Sequence, residues 1–429
     1  MKAKRFLAAV AVAAVAGMSL TGCSSTPAGD GKVTIYGAYG EAQTAAIQAE
    51  LDAWTKSDSG NPTVKYVSLA SFDTDIKVKI AAGQEPDIGV WPQPGGLLDQ
   101  SSKLIPLSKV IDLAPIQKTL VPGWDTLAVK GGSVYGLPIS ANVKTLVFYN
   151  PAAFAAHNYT VPTTDAEFTA LIDQIKADGS GYPFCAGIES GGATGWPITD
   201  WIEQYVLDYY GIDTYNKWVA GDVKFNEIPK AIDKVQSLLL TKGNVNGGGT
   251  SMATDGFGDT APLFELGGKA KGQCFMIRQG SFITDFFPKN IQAEIAKGDY
   301  SHADVFTLPT PDGGQAGVLG GGDLAAAFHN DTDVQKVLNF ILSDKLGNIM
   351  AQKSSFVSPH KTFNTDLYPT ELGKKVGATM ANAAVFGFDG SDRMPSEVNA
   401  QFWVSGTDWV AGKIDWATAA DQIQAKYGN

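Results

Sequence analysis

Short β-rich runs alternate with helix-like segments from the start of the folded part of the chain. Val33–Tyr36, Thr63–Leu69 and Asp87–Trp91 are strand-like. Glu41–Trp54 carries apolar residues at helical spacing, and Ser71 can cap a short helix through Ile80. Because a strand–helix–strand repeat folds most readily into a sheet covered by helices, the pattern predicts an α/β fold with mostly parallel strands.

Later segments carry equally local signals. Gly131-Gly132, a dipeptide that tolerates positive φ, separates two β-rich runs and predicts a hairpin. Thr164 and Glu167 form a capping box that predicts the start of a helix. The apolar residues of Asp333–Met350 fall on one face and predict a long helix. Since the composition does not shift abruptly along the body, the pattern favours domains that exchange segments.

The N-terminal residues predict export. Three basic residues within the first five precede an apolar run over 6–20, and the sequence Leu-Thr-Gly-Cys that ends at Cys23 is similar to the lipobox of bacterial lipoproteins. We therefore expect residues 1–22 to be a cleaved signal, Cys23 to carry lipid, and the small, polar residues 23–32 to form a flexible tether. An ordinary signal peptide with a chance cysteine is the alternative.

The body of the chain is acidic. The formal net charge of the whole chain is -11, and it becomes -14 when the three basic residues of the signal are subtracted. Such a surface repels nucleic acid, so we expect no nucleic-acid partner. No later segment offers about eighteen consecutive apolar residues. The lipid is therefore the only membrane attachment that we predict, on the extracytoplasmic face of the cell membrane.

Cysteine usage fits an oxidising compartment. The chain has three cysteines, and lipidation of Cys23 leaves Cys185 and Cys274. One disulfide between these two is the simplest interpretation for an exported protein. Two buried free thiols are the alternative.

Motifs of catalytic sites are absent from the sequence. No G-x-S-x-G, P-loop or G-x-G-x-x-G element stands between a strand and a helix, and the four histidines lack metal-ligand spacing. We therefore predict no catalytic residue, no metal site and no cofactor. A glycosidase needs only two carboxylates, so a secreted carbohydrate-active enzyme, a glycoside hydrolase or lyase, is the alternative function.

Aromatic and polar residues follow the predicted strands, where α/β domains bind ligands. Tyr39 and Glu41 follow the first strand, Trp91 and Gln93 follow the third, and Trp196 lies in the glycine-rich loop GGATGWPITDW. Such residues suit sugars, whose C–H faces are apolar and whose hydroxyls both donate and accept hydrogen bonds. Core packing is the alternative for Trp91, and a charge at a helix N-terminus is the alternative for Glu41.

Five longer stretches of the body carry a family resemblance. They are AAGQEPDIGVW, GLPISANVKTLVFYN, VPTTDAEFTALIDQI, VLGGGDLAAAF and VQKVLNFILSDKLGNIMAQ. In this order they resemble the extracellular solute-binding proteins of carbohydrate ABC importers, the family that includes maltose-binding protein. The resemblance implies a monomer with a two-lobed periplasmic-binding-protein-like α/β fold (type II, cluster-D-like) that closes on a sugar.

The resemblance also implies three crossovers between the lobes, which we expect near Lys144, Val318 and Phe356. The N-terminal lobe is then expected to comprise residues 33–143 and 318–356, and the C-terminal lobe residues 144–317 and 357–429. Sugar contacts both lobes only in the closed state, so binding would favour that state and create the surface recognised by the permease subunits of an ABC transporter.

Two further motifs, QCFMIRQGSFITDFF and FGFDGSDRMP, resemble the α-glucoside-binding branch of this family. The branch has two cysteines in the places of Cys185 and Cys274, which supports the disulfide. Its last motif has an apolar residue after Ser-Asp, where this chain has Arg393. An arginine there has a forked donor set for sugar hydroxyls, and a surface salt bridge is the alternative. The complete predicted ligand-binding set is Tyr39, Glu41, Trp91, Gln93, Asn142, Trp196, Gln279, Phe282, Gly321, Gly322, Asp323, Asp392 and Arg393.

Overall fold

A computed structural model describes residues 26–428, so Cys23 and the predicted signal 1–22 lie outside the described residues. Within this range the chain forms thirteen strands and seventeen α-helices. The strands are β1 Lys32–Gly37, β2 Thr63–Ser68, β3 Ile88–Trp91, β4 Ala128–Lys130, β5 Ser133–Pro138, β6 Asn142–Val143, β7 Leu146–Tyr149, β8 Tyr182–Phe184, β9 Cys274–Arg278, β10 Asp304–Thr307, β11 Val318–Gly321, β12 Leu324–Ala327 and β13 Phe386–Phe388. The helices are α1 Glu41–Ser57, α2 Phe72–Ala81, α3 Pro94–Asp99, α4 Ala114–Thr119, α5 Pro151–His157, α6 Asp165–Asp178, α7 Trp196–Val219, α8 Pro229–Val235, α9 Gly248–Met252, α10 Ala261–Phe264, α11 Lys289–Ala296, α12 Thr332–Ile341, α13 Met350–Lys353, α14 Glu371–Ala381, α15 Gly390–Arg393, α16 Ser396–Val410 and α17 Trp416–Gln424.

The largest sheet has six strands in the order β2-β1-β3-β12-β5-β4. Strand β1 pairs in parallel with β2 and β3, as the alternating sequence pattern predicts. Strands β4 and β5 form the predicted hairpin, with positive φ at Gly131 and Gly132. Strand β12 arrives from a distant part of the chain and pairs antiparallel with β3 and β5.

A second sheet has the order β10-β7-β9-β8, and a third has the order β13-β11-β6. Strand β6 connects the first sheet to the second along the chain, and β11 connects them in the reverse direction. Next to β6, Ala141 forms a bridge with Val357, which precedes α14. Among the described strands, antiparallel pairings outnumber parallel ones. The prediction of mostly parallel sheets is therefore wrong, because strands that return between the sheets enter them antiparallel.

The segment predicted as one long helix is interrupted. Helix α12 buries the apolar face that the spacing predicts, but it ends at Ile341. The carboxylate of Glu50 on α1 accepts hydrogen bonds from the backbone N–H groups of Ile349 and Met350, at 2.5 and 3.0 Å, where α13 starts. These N–H groups therefore have a side-chain partner in place of the carbonyls of a continuous helix.

Two other predictions are confirmed. The side chains of Thr164 and Glu167 make the reciprocal hydrogen bonds of a capping box at the start of α6. Cys185 and Cys274 form a disulfide with their Cα atoms 5.4 Å apart. It joins the end of β8 to the start of β9, two neighbouring strands of the second sheet.

The end of the predicted tether is attached to the fold. The backbone N–H of Gly29 donates to Thr332 Oγ1 at 3.1 Å, and that of Gly31 donates to Asp333 Oδ2 at 2.8 Å. Residues 26–31 therefore lie against the start of α12, and only the earlier part of 23–32 is left as a candidate tether. In the range 26–428, no helix has the length and apolar character needed to cross a membrane.

Candidate functional site

A cavity of about 750 Å³ lies between the six-stranded and four-stranded sheets. The segments after β1, β2 and β3 line one side, and the first turns of α7 and α16 line the other. Ser140–Asn142 and Gly322–Asp323, where the chain passes between the sheets, also contribute to the lining. The volume falls in the range of small-molecule sites.

Eight of the described aromatic residues line the cavity, and five of them lie on the side of α7 and α16. We call these five the aromatic wall: Trp196, Phe257, Phe282, Phe286 and Trp403. The ring of Trp196 makes an edge contact with Phe257 at 5.1 Å between centroids and a tilted contact with Phe282 at 5.8 Å. These contacts hold the rings in position before a ligand arrives.

A buried ammonium group lies beside this wall. Lys144 Nζ is 2.8 Å from Asp200 Oδ1, pairs also with Asp389, and lies 5.0 Å from the centre of the Trp196 ring. Burial alone would lower the pKa of Lys144, but the charges of Asp200 and Asp389 more than offset this effect and raise it. Lys144 is therefore a permanent cation at the edge of the cavity.

Further carboxyl groups surround this ammonium. Asp200, Glu203 and Asp389 place oxygen atoms within 4.8 Å of one another, a spacing that would suit a metal ion. The ammonium already takes the position between Asp200 and Asp389, and two backbone N–H groups at the start of α15 donate to Glu203. Burial and the neighbouring Asp389 raise the pKa of Asp392, which lines the cavity.

Asp323, which directly precedes β12, is another acidic group of the cavity lining. Its Oδ2 accepts a hydrogen bond of 2.6 Å from the hydroxyl of Ser140. Burial raises the pKa of Asp323 to about 6, although the hydrogen bond from Ser140 acts against it. Gly322 precedes it at a position where a Cβ atom would collide with the carbonyl oxygen of Ser140, so the backbone approach requires glycine.

Eight residues of the predicted ligand-binding set line this one cavity. They are Tyr39, Gln93, Asn142, Trp196, Phe282, Gly322, Asp323 and Asp392. They come from both sheets and from the connections between them. The structure therefore brings together most of the residues singled out in the sequence.

Trp91 does not line the cavity. It is buried, with its ring against Phe72 and Phe328 at centroid distances of 5.7 and 5.8 Å. All four residues of β3 are buried, because this central strand is covered on both faces. The alternative interpretation of Trp91 as a core residue is the one that the structure supports.

Four other predicted residues also lie outside the cavity lining. Glu41 is exposed in the first turn of α1, where its charge suits the helix dipole. Gln279 is buried, and its side chain accepts from the N–H of Gly280. The guanidinium of Arg393 donates to Asn216 Oδ1 at 2.8 Å, which is neither a ligand contact nor a salt bridge.

The fourth residue, Gly321, supports the site indirectly. Its N–H donates to Asn142 Oδ1 at 3.1 Å, within the pairing of β11 with β6. The contact holds the amide of Asn142, which does line the cavity.

Several lining residues were missed by sequence reasoning. Besides Ser140, Lys144 and Asp389, they include Asp73, Asn399 and Trp403. Ser140, Lys144 and Asp389 lie within motifs that carry the family resemblance. Their position in these motifs could therefore have identified them as candidate ligand contacts. Asn399 and Trp403 lie in helix α16. The sequence pattern of this helix does not show which of its faces is buried and which is exposed.

Comparison with known proteins agrees with this architecture. A model of the family described as bacterial extracellular solute-binding proteins matches residues 37–347. The chain belongs to this family. Membership places the folded body of this solute-binding protein outside the cytoplasm.

Two relatives match most of this solute-binding protein. The osmoprotective compounds-binding protein GgtB of Synechocystis sp. is 32% identical over 400 residues, which is 92% of this chain and 90% of GgtB. The alpha-glucosides-binding periplasmic protein AglE of Rhizobium meliloti is 32% identical over 372 residues, which is 83% of this chain and 79% of AglE.

Solved structures share the fold at lower sequence identity. The bacterial solute receptor AcbH superposes with a TM-score of 0.75 at 19% identity, covering 93% of this chain and 98% of that one. RafE of Streptococcus pneumoniae superposes with a TM-score of 0.66 at 18% identity, covering 94% and 98%. These receptors have the two-lobed fold, so the predicted two-lobed α/β fold is confirmed, and its assignment to type II and cluster D stays a prediction.

Proposed function

We propose that this solute-binding protein is a lipid-anchored receptor that binds a short α-glucoside between its two lobes and delivers it to an ABC transporter permease. The observation that carries the proposal is the cavity itself, which combines an aromatic wall with buried hydrogen-bonding groups. An apolar ligand would leave those groups without partners, and a simple ion would leave the rings unused.

A neutral sugar matches both parts of the lining. Its C–H faces remove aromatic surface from water, while its hydroxyls donate to carboxylates such as Asp323 and accept from donors in the cavity. The lining also carries more carboxylates than ammonium groups, which disfavours anionic ligands such as sugar phosphates.

The relatives support this ligand class in part. AglE is named for α-glucosides and GgtB for osmoprotective compounds. The receptors of similar fold are described with sugars as ligands, among them β-D-galactopyranose for AcbH. The lobe boundaries proposed from the sequence, 33–143 with 318–356 and 144–317 with 357–429, put the cavity between the lobes. Closure of the lobes on the sugar then presents the closed surface to the permease.

A ligand screen tests the proposal. Mono- to tetrasaccharides with α- and β-glucosidic linkages are added to the purified protein, and unfolding is followed by thermal shift with calorimetric titration of the hits. A ligand at 100 times its dissociation constant should stabilise the native state by about 2.7 kcal/mol. Stabilisation by α-glucosides without their cleavage is the expected result. Release of hydrolysis or elimination products would instead support the carbohydrate-active enzyme, and no binding by any sugar would overturn the proposed ligand class.

A further inference from the structure

Four polar side chains of the cavity lining carry a buried atom without a hydrogen-bond partner within the described residues. One is Tyr39, whose hydroxyl lies near the Asp323 carboxylate. The other three atoms are Gln93 Oε1, Asn399 Oδ1 and Trp403 Nε1. Asn399 is 4% exposed and Trp403 is 7% exposed. A buried polar atom without a partner destabilises a fold by about 1–3 kcal/mol. We therefore expect a bound molecule to supply the hydrogen-bond partners of these three atoms.

The three residues lie along one edge of the cavity. Asn399 and Trp403 are four residues apart on α16, so they occupy the same face of that helix. Gln93 precedes α3, whose first turn meets the start of α16. A Cβ atom built on Gly96 of α3 would lie 3.6 Å from Gln93 Cβ and 3.7 Å from Ser396 Oγ.

The chemistry of this edge is mixed. The indole N–H of Trp403 only donates, whereas the amides of Gln93 and Asn399 each offer an acceptor and a donor. Neighbouring hydroxyl groups satisfy such a set, because each hydroxyl donates one hydrogen bond and accepts others. The aromatic wall alone would also suit a quaternary ammonium ion. Such an ion has no hydroxyl donor for the two amide oxygens, so this edge distinguishes between the two ligand classes.

We propose that Gln93, Asn399 and Trp403 form a polyol subsite that binds neighbouring hydroxyl groups of the ligand and selects polyhydroxylated ligands over quaternary ammonium compounds. The inference rests on the proposed function and specifies which residues bind the hydroxyl groups of the ligand. Since Gln93 follows a strand of the six-stranded sheet and α16 packs on α7, the bound hydroxyls would also bridge the two sides of the cavity.

The test combines residue and ligand changes. Trp403→Phe removes the N–H donor and keeps an aromatic ring, and Gln93→Met removes an amide at a partly exposed position. Trp409→Phe is the matched control, because Trp409 lies on the same helix but packs against Trp416, outside the cavity lining. Affinities are measured by calorimetry for the best α-glucoside of the screen, for its monodeoxy analogues and for glycine betaine, and melting temperatures verify folding.

We expect Trp403→Phe and Gln93→Met each to weaken sugar binding by about 3- to 30-fold, the loss of one hydrogen bond to a buried group. Trp409→Phe should bind as the wild type does. At least one monodeoxy analogue should bind weakly to the wild type and no more weakly to Trp403→Phe, because its missing hydroxyl is the partner of the indole N–H.

The outcomes separate the two proposals. Normal sugar affinity in both subsite variants, or equal losses for every deoxy analogue, would overturn the polyol subsite and leave the sugar receptor intact. Binding of glycine betaine without binding of any sugar would overturn both. If Trp403→Phe does not fold, the Gln93→Met variant alone decides the result.

Discussion

The ammonium of Lys144 lies 5.0 Å from the centre of the Trp196 ring and 2.8 Å from Asp200 Oδ1. One buried cation therefore supports a ring of the aromatic wall and balances the carboxylates behind it. Lys144→Met would leave Asp200 and Asp389 buried without their partner. We expect a loss of about 3–5 kcal/mol in the free energy of unfolding, measured with urea at neutral pH.

The control for this prediction is an exposed ion pair. Lys413 Nζ is 2.8 Å from Asp408 Oδ1, but its side chain is 67% exposed. Lys413→Met should change the free energy of unfolding by at most about 1 kcal/mol. Equal losses in the two variants would show that the buried pairs of Lys144 contribute no more to the free energy of unfolding than an exposed ion pair does.

Trp196 and Trp91 should respond differently to truncation. Trp196→Ala is expected to weaken sugar binding by about 10- to 100-fold, because it removes a ring from the cavity. Trp91→Ala should instead lower the free energy of unfolding by about 3–5 kcal/mol and leave the affinity of the folded fraction unchanged. Melting temperature and calorimetric affinity are measured for both. A selective loss of affinity in Trp91→Ala would contradict its place in the core.

Asp323 is expected to make stability depend on pH. Its pKa of about 6 in the folded protein lies above that of an aspartate in an unfolded chain, about 3.9. The folded state therefore binds the proton more tightly, and the free energy of unfolding should fall as the pH rises from about 4 to about 6. Relative to Asp323→Asn, the wild type should lose up to about 3 kcal/mol over this interval and no more above it.

Urea unfolding of wild type and Asp323→Asn at about pH 4 and about pH 7.5 measures this difference. Comparing the two proteins cancels the contributions of the other buried acids, such as Asp208, whose pKa burial raises to about 7. A difference that does not change with pH would mean that the fold does not raise the pKa of Asp323.

The disulfide should stabilise the fold through the unfolded state. Cys185 and Cys274 are 89 residues apart in sequence, and closing a loop of that length contributes about 4.6 kcal/mol in the chain-entropy model. The Cys185→Ser/Cys274→Ser double variant should lose that amount in urea unfolding. Adding reductant should destabilise the wild type and leave the double variant unchanged.

Cys23 is expected to carry the membrane anchor. Because residues 26–31 already lie against α12, a Cys23→Ala change should alter neither the fold nor the sugar affinity. Fractionation of expressing cells should find the variant in the soluble extracytoplasmic fraction and the wild type in the membrane fraction. Retention of Cys23→Ala with the membrane would refute the lipid anchor.

Local sequence signals were sufficient for features that depend on neighbouring residues. The hairpin at Gly131-Gly132 and the capping box at Thr164 follow from φ preferences and side-chain contacts within a few positions. The motifs in family order also sufficed for the two-lobed fold. The start of a separate helix α13 was not predictable in this way, because Glu50, some 300 residues away in sequence, binds the N–H groups of Ile349 and Met350.

Which residues line the cavity depends on contacts between segments that are distant in sequence. Trp91 and Trp196 are equally plausible ligand contacts by residue type, but the packing of Phe72 and Phe328 places only Trp91 in the core. Sequence alone sufficed to nominate residues near strand ends and glycine-rich turns. The way the two sheets meet decides which of these residues face one ligand. It also places Lys144 among them as a buried cation, because burial and pairing are properties of the assembled fold.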